Sequence, residues 1–188
     1  GQFIGLVGRS GCGKSTLLNL AGAMDFPSTG QVSIDNEITS NLNDTQLTAL
    51  RRNKVGFIFQ NFQLLPTLSV AENVELPLLL AGTANPRQRA IETLTWVELG
   101  DYANRMPHQL SGGQMQRVAI ARALVHKPKL LLADEPIGNL DTTTGNLILD
   151  LLRRATTDFE TAILMATHSA DSARVTDYTI EMRDGLIV

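Results

Sequence analysis

The chain contains a glycine-rich loop that ends in a lysine and two hydroxyl residues. The run Gly8-Arg9-Ser10-Gly11-Cys12-Gly13-Lys14-Ser15 fits the pattern G-x-x-x-x-G-K-[ST], with an apolar strand-like segment before it and a helix-like segment after it. Glycines let such a loop wrap closely enough for its backbone N–H groups to bind phosphate oxygens. Lys14 would then reach the β- and γ-phosphates of a nucleotide, Ser15 would ligate Mg²⁺, and Thr16 would contact the α-phosphate.

Polar side chains also follow three other strand-like runs. Leu130-Leu131-Leu132-Ala133-Asp134-Glu135 ends in two carboxylates, and ligands of doubly wound sheets bind at the carboxyl ends of strands. Asp134 suits the coordination shell of Mg²⁺, directly or through water, and Glu135 is placed to polarise an attacking water as a general base. Gln60 could touch both Mg²⁺ and that water, and His168 could hydrogen-bond the γ-phosphate. Taken alone, a strand-end glutamine is usually solvated and a single histidine is usually structural.

A second glycine-rich segment is Leu110-Ser111-Gly112-Gly113-Gln114-Met115-Gln116-Arg117, which opens onto a helical pattern over 117–124. Unpaired backbone N–H groups and the positive end of a helix dipole make its start a second anion-binding corner. Two such corners in one small domain imply that two copies meet head to tail over shared nucleotides.

Alternating strand-like and helix-like patterns at both ends of the chain position these residues. From 64 to 125 the pattern is mostly helical, with a capping box at Ser69 and a first helical position at Pro86. The sequence therefore predicts one α/β domain, with a mostly parallel sheet covered on both faces as its core (1–62 and 126–188) and an inserted α-helical subdomain (63–125). Expected strands cover 3–7, 31–34, 55–59, 130–133, 162–166 and 178–182, and expected helices outside the inserted region cover 14–24, 47–52, 142–154 and 169–175.

Composition excludes several classes of protein. Of the 188 residues, 43% are hydrophobic and 19% charged, which is typical of a folded domain rather than a disordered chain. A net charge of −3 argues against a general nucleic-acid binder. No run approaches the ~20 apolar residues that cross a bilayer, so any membrane role would come through a partner. Cys12 is the only cysteine, which excludes an internal disulfide and favours a reducing compartment.

The order of these motifs resembles that of the ABC ATPase family, over nearly the entire chain. The resemblance rests on the phosphate loop (8–16), Gln60, the signature segment (110–117), the strand ending at Glu135, Gly138-Asn139-Leu140-Asp141 and His168. It implies a P-loop NTPase core and a dimer that encloses ATP and Mg²⁺ between its two copies.

The resemblance also implies roles for these residues. Ser111, Gly113 and Gln114 of one copy would grip the γ-phosphate held by Lys14 of the other, and Asp141 would link the two sites. The predicted catalytic residues are Lys14, Gln60, Glu135 as base and His168 as γ-phosphate sensor; the metal ligands are Ser15, Gln60 and Asp134; and the nucleotide-binding residues are Gly8, Arg9, Ser10, Gly11, Cys12, Gly13, Lys14, Ser15, Thr16, Gln60, Ser111, Gly113, Gln114 and Asp141.

The implied function is that of a nucleotide-binding subunit at the cytoplasmic face of the plasma membrane, where ATP-driven dimerisation powers integral membrane permease subunits. Gln60 would couple hydrolysis to that partner. The segment Val70-Ala71-Glu72-Asn73-Val74-Glu75-Leu76-Pro77 and Gly145 are similar to the bacterial lipoprotein-release and macrolide-export ATPases. Ile137, where that group often has threonine, and Met115, where a polar residue is usual, depart from the pattern.

Two expectations concern the front of the chain. The family places an adenine-stacking aromatic residue and antiparallel strands upstream of the phosphate loop, but here the loop begins at Gly8. Those strands are therefore expected to be missing, which would weaken ATP binding and expose a sheet edge. Cys12 is either a small side chain that the loop tolerates, or a reactive thiol whose pKa is lowered by the helix N-terminus.

Other functions remain as alternatives. A non-transporting ABC ATPase of the cell-division type would transmit force to a membrane-bound regulator and is hard to separate by sequence. Chromosome-maintenance members carry long coiled coils between the Gln60 and Ser111 positions, and this chain has no sustained heptads there. Translation-type members carry two cassettes, and the signature segment excludes a small-molecule kinase.

Overall fold

The computed structural model describes residues 1–169 and 172–188. The strands are β1 (Phe3–Val7), β2 (Ser33–Ile34), β3 (Glu37–Ile38), β4 (Val55–Ile58), β5 (Leu130–Asp134), β6 (Ala162–Thr167), β7 (Tyr178–Arg183) and β8 (Leu186–Ile187). The α-helices are α1 (Lys14–Ala21), α2 (Asp44–Lys54), α3 (Val70–Leu80), α4 (Pro86–Trp96), α5 (Gly112–Leu124) and α6 (Thr142–Asp158). No helix in these two ranges is long and apolar enough to cross a membrane.

One six-stranded sheet carries the order β4-β5-β6-β1-β7-β8. Every neighbouring pair is parallel except β7 and β8, so the predicted mostly parallel sheet is confirmed. The register aligns the carboxyl ends of the strands: Val7 lies opposite Thr167, and Asp134 lies opposite Ala166. Segments that leave β1, β4, β5 and β6 therefore meet at one edge of the sheet, where a ligand can contact all of them.

Helices cover both faces of this sheet. Successive strand residues point to opposite sides, so each buried strand presents apolar side chains to both layers of helices. On one face Leu132 and Ala166 pack against Leu18 of α1. On the other, Leu131 and Ile163 belong to the large core that includes α3, α4, α5 and α6. Both layers bury apolar side chains completely, which fixes α1, and the loop before it, against the strand ends.

The segment between β4 and β5 contains α3, α4 and α5. At the start of α3, Ser69 Oγ accepts from the N–H of Glu72, whose carboxylate accepts from the N–H of Ser69, which is the predicted capping box. Pro86 occupies the first position of α4, as predicted. The same α4 ends at Trp96, whose Nε1 donates to Asp158 of α6 at 2.8 Å. A division of the chain into core and helical subdomain at 63 and 125 stays a prediction.

Some predicted elements have different bounds. The first helix ends at Ala21 rather than at 24, α2 begins at Asp44 behind an Asn43 cap, and α6 runs on to Asp158. The strand expected over 31–34 is two residues long and pairs with β3, which was not predicted. The helix expected over 169–175 includes residues 170 and 171, which lie outside the described residues; Ser172–Val175 form a 3₁₀ turn.

Candidate functional site

The glycine loop between β1 and α1 is held close to the end of β7. A Cβ at Gly8 would overlap with the carbonyl oxygen of Met182 and approach Cys12 Sγ, so only glycine fits. Gly13 has φ = 104°, a left-handed conformation that glycine adopts without steric cost. The ammonium of Lys14, only 7% exposed, donates to the carbonyls of Gly8 at 2.8 Å and Arg9 at 3.1 Å.

A cavity of about 510 Å³ lies at the carboxyl edge of the sheet. Its walls bring together eight polar residues from four separate parts of the sequence, which is what the strand-end argument predicted. The lining residues are Ser10, Gly11, Gly13, Lys14, Ser15, Thr16, Gln60, Asp134, Glu135 and His168. The three other predicted loop residues line an adjoining cavity of about 880 Å³: Gly8, Arg9 and Cys12.

Glu135 forms the centre of the polar contacts in the smaller cavity. Its carboxylate lies 2.9 Å from Nδ1 of His168 and 4.0 Å from Nζ of Lys14, and it is 15% exposed. The N–H of Glu135 donates to the carbonyl of Ala166 at 3.0 Å, which ties this residue to the end of β6. Its φ of 47° is left-handed and turns the chain sharply after β5. A carboxylate between a histidine and a lysine can accept a proton from a water molecule in the same cavity.

Oxygen ligands in the cavity fit a Mg²⁺ ion. The hydroxyl of Ser15, the amide of Gln60 and the carboxylate of Asp134 share its lining. No group of three or more His, Cys, Asp or Glu residues in 1–169 and 172–188 could hold a metal. Mg²⁺ commonly binds through one or two carboxylates together with substrate phosphates, so this donor set suits an ion that arrives with a nucleotide.

The signature residues lie elsewhere in the described structure, outside the lining of this cavity. Ser111 is the N-cap of α5: its Oγ accepts from the N–H of Gln114, and the Gln114 side chain accepts from the N–H of Ser111. The helix therefore begins at Gly112, and the expected helical start at 117 is wrong by more than one turn. A Cβ at Gly113 would overlap with Cγ2 of Thr144, which brings the start of α5 against the start of α6.

Asp141 is likewise used locally. Its carboxylate caps α6 by accepting from the N–H of Thr144 at 3.0 Å. Hydrogen bonds from Thr144 lower the pKa of Asp141, so the cap stays ionised at neutral pH. The nucleotide-linking role of Asp141, and the γ-phosphate roles of Ser111, Gly113 and Gln114, remain predictions.

The Cys12 side chain is buried, with 7% exposure, against Leu6 and Met182. This packing favours the interpretation as a small side chain tolerated by the loop. His108 is exposed and His126 contacts the Val55 carbonyl at 3.0 Å, so neither belongs to the cavity.

Sequence reasoning missed the residues that support Gln60 from outside the cavity. Arg122 of α5 donates to the carbonyls of the loop after Gln60, and the segment after Glu135 contacts the same loop through Asn139. No local pattern marks Arg122, since its partners are about sixty residues away in the sequence.

Comparison with known proteins places this geometry in a family. A family model described as "ABC transporter" matches residues 1–138. The uncharacterized ABC transporter ATP-binding protein MJ0796 of Methanocaldococcus jannaschii is 46% identical over 192 residues, covering 98% of this chain and 81% of that protein. The macrolide export ATP-binding/permease protein MacB of Syntrophobacter fumaroxidans is 44% identical over 191 residues, covering all of this chain but 27% of MacB.

Solved structures agree. The dimeric post-hydrolysis state of the ATP-binding cassette MJ0796, bound to ADP and Pi, superposes with a TM-score of 0.89 at 44% identity, over 99% of this chain and 83% of that one. A second dimeric structure of the MJ0796 cassette has a TM-score of 0.88 at 46% identity, with the same coverage. The predicted ABC ATPase fold is thereby confirmed. The phosphate loop, the carboxylate pair and these likenesses together mean that the chain belongs to the ABC transporter family and is an ATP-binding, ATP-hydrolysing domain of it.

Proposed function

We propose that this chain is the nucleotide-binding subunit of a bacterial transporter of the lipoprotein-release or macrolide-export type. Two copies close over ATP and open after hydrolysis, and this motion drives integral membrane permease subunits. The chain itself would sit at the cytoplasmic face of the plasma membrane through those subunits.

The proposal of a dimer rests on one observation: the motif residues lie on two separate surfaces of the chain. Lys14, Glu135 and His168 meet in one cavity, whereas Ser111 and Gln114 lie at the start of α5, outside its lining in the described residues. A single chain therefore uses only half of its motif set around one nucleotide. A second copy turned head to tail would bring its α5 start, with a helix dipole that favours anions, to the open side of the cavity. The two dimeric structures of the MJ0796 cassette support a dimer for this chain.

In the proposed reaction the ammonium of Lys14 binds the terminal phosphates. Its positive charge then neutralises the phosphates instead of the Glu135 carboxylate. Glu135 accepts a proton from the attacking water, while His168, hydrogen-bonded to that carboxylate at 2.9 Å, holds it in place and contacts the γ-phosphate. Mg²⁺, bound through Ser15, Gln60 and Asp134 when ATP is present, would supply charge stabilisation on the transferred phosphate.

The permease would bind an apolar groove of about 560 Å³ beside the Gln60 loop. Phe57, Phe59, Leu76 and Pro77 supply apolar lining, and Arg122 is part of the same wall. The relative MacB is named an ATP-binding/permease protein, which supports a membrane partner for a cassette of similar sequence. The groove lies next to the residues that follow Gln60, so a partner seated there would contact the loop that reaches the cavity.

The dimer is tested with Glu135→Gln, which keeps the shape of the side chain but cannot take up a proton. Light scattering should give the mass of two chains with Mg²⁺-ATP and of one chain without nucleotide. Adding Ser111→Arg should keep the mass at one chain, whereas Gln88→Arg, on the exposed side of α4, should not. A wild-type background with Ser111→Arg that hydrolyses ATP at the full rate as a single chain would overturn the proposal.

The membrane partner is tested by purifying tagged Glu135→Gln from detergent-solubilised membranes in the presence of ATP. An integral membrane permease should co-purify in stoichiometric amount. Leu76→Glu should reduce the recovered permease but leave the ATP-dependent doubling of mass intact, because Leu76 lines the groove and not the cavity. Complete absence of a membrane protein would contradict the transporter assignment.

A further inference from the structure

The loop that follows β4 has an unfavourable backbone. Phe62 has φ = 57° and Gln63 has φ = 47°, so two consecutive residues with a Cβ are left-handed. Such residues are disfavoured by contact between Cβ and the backbone, and they persist where surrounding structure holds them. Because Gln60 lies only two residues earlier, whatever holds this turn also determines where Gln60 points.

Arg122 of α5 stabilises this turn. Its Nη1 donates to the carbonyl of Gln63 at 2.6 Å and its Nη2 donates to the carbonyl of Phe62 at 2.8 Å. Burial lowers the pKa of the Arg122 guanidinium, but arginine keeps its proton in proteins, so both bonds are charge-assisted. One planar group thus fixes the carbonyls of both left-handed residues.

The opposite end of the loop is held by the segment after Glu135. The side-chain amide of Asn139 donates to the carbonyl of Gln60 at 3.2 Å and to Oδ1 of Asn61 at 3.1 Å. A Cβ at Gly138 would lie 3.0 Å from Nε2 of Gln60, so the glutamine amide packs closely against this backbone. The side chain of Gln60 therefore packs against Gly138 and lines the cavity.

We propose that Arg122 is a positioning residue for ATP hydrolysis, which holds the loop so that the Gln60 amide stays in the catalytic cavity. This inference rests on the role of Gln60 in the proposed function. Arg122 belongs to the wall of the apolar groove, but it does not line the cavity and touches no predicted nucleotide-binding group among the described residues, so its effect on hydrolysis by the isolated chain passes through the loop.

The anchoring of α5 does not depend on this guanidinium. The neighbours Ala121, Ala123 and Leu124 are buried in the core, and they keep the helix in place when the head group is removed. Arg122→Met retains an apolar stem of similar length and deletes both donors. A matched control is Arg89→Met: Arg89 of α4 also donates to a backbone carbonyl, that of Val125 at 3.3 Å, but at the end of α5 and not in the loop.

The experiment measures steady-state ATP hydrolysis of the purified full chain as a function of Mg²⁺. Arg122→Met should lower kcat by about 10- to 100-fold, the range expected when a catalytic group is displaced by about 1 Å. The Mg²⁺ concentration at half-maximal rate should rise several-fold, while ATP affinity in EDTA stays unchanged. Arg122→Lys, which can reach one carbonyl, should recover part of kcat, and Arg89→Met should match the wild type.

A second comparison places Arg122→Met in a Gln60→Ala background. If the arginine acts through Gln60, it should cause no further loss there. Equal fold-losses in both backgrounds, or wild-type kcat in Arg122→Met, would overturn the inference while leaving the proposed function intact. Full kcat in Gln60→Ala would instead refute the proposed role of Gln60. Thermal unfolding identifies any variant that fails to fold, in which case Arg122→Lys carries the same comparison.

Discussion

Glu135→Gln should destabilise the nucleotide-free chain, and ATP should reverse the effect. The carboxylate is the negatively charged partner of Lys14, whose ammonium is almost completely buried and otherwise contacts only the backbone carbonyls of Gly8 and Arg9 within the described residues. Replacing it with an amide leaves the ammonium without a counter-charge until phosphates enter the cavity.

The size of the effect follows from the geometry. At 4.0 Å, with exposures of 7% and 15% for Lys14 and Glu135, the attraction is about 4 kcal/mol at an effective dielectric constant near 20. Desolvation of both groups offsets much of this, so the net loss should be about 1–2 kcal/mol, between the values for exposed and fully buried pairs. For a domain of this size that loss corresponds to a fall in Tm of about 2–8 °C.

Differential scanning fluorimetry in EDTA separates the two states, because hydrolysis does not proceed without the metal. Without nucleotide, Glu135→Gln should unfold below the wild type; with saturating ATP, it should unfold at or above it, since the phosphates replace the lost charge and no longer face a carboxylate. The neighbouring Asp134→Asn should show no such fall, because Asp134 forms no ion pair with Lys14. A nucleotide-free Glu135→Gln chain as stable as the wild type would refute this account of the Lys14 environment.

Three further predictions concern packing and protonation. Gly113→Ala should lower the free energy of unfolding in urea by about 1–3 kcal/mol, because the alanine Cβ overlaps with Thr144; the higher helix propensity of alanine offsets part of this loss. Adding Thr144→Ser removes the overlapping methyl group and should restore most of the stability, whereas additive effects of the two changes would contradict the contact. Burial lowers the pKa of His126, so stability should decrease as pH falls below about 6.5; His126→Gln should flatten this dependence and His108→Gln should not. Cys12 should react with a thiol reagent at least about tenfold more slowly in the folded chain than in urea, and equal rates would revive the reactive-thiol hypothesis.

Local chemistry explains why much of the site is visible in the sequence. The phosphate loop, the capping box at Ser69 and the proline at position 86 act within a few residues of themselves, so their patterns survive without knowledge of the fold. The strand-end argument then needs only a parallel sheet to bring Gln60, Glu135 and His168 into one cavity.

Features that depend on distant contacts were not accessible in this way. The start of α5 was misplaced because two glycines suggested a turn; packing against Thr144 and the Ser111 cap make them the first turn of the helix instead. The strand expected over 31–34 corresponds to β2, but its partner β3 was not predicted, because two residues are too few for an alternating pattern. Its position is secured by ion pairs from Lys54 to Asp35 and Glu37.

A buried hydrogen bond connects α5, which carries the signature residues, to the segment that follows Glu135. Nε2 of Gln116, on the second turn of α5, donates to the carbonyl of Pro136 at 2.6 Å. Pro136 follows Glu135 directly, and Ser111 begins the same helix, so a shift of α5 that follows contact at Ser111 must either move the backbone next to Glu135 or break this bond. A buried carbonyl that loses its donor costs about 1–3 kcal/mol, which favours the first outcome. This bond therefore connects the first turns of α5 to the backbone beside Glu135 within one chain.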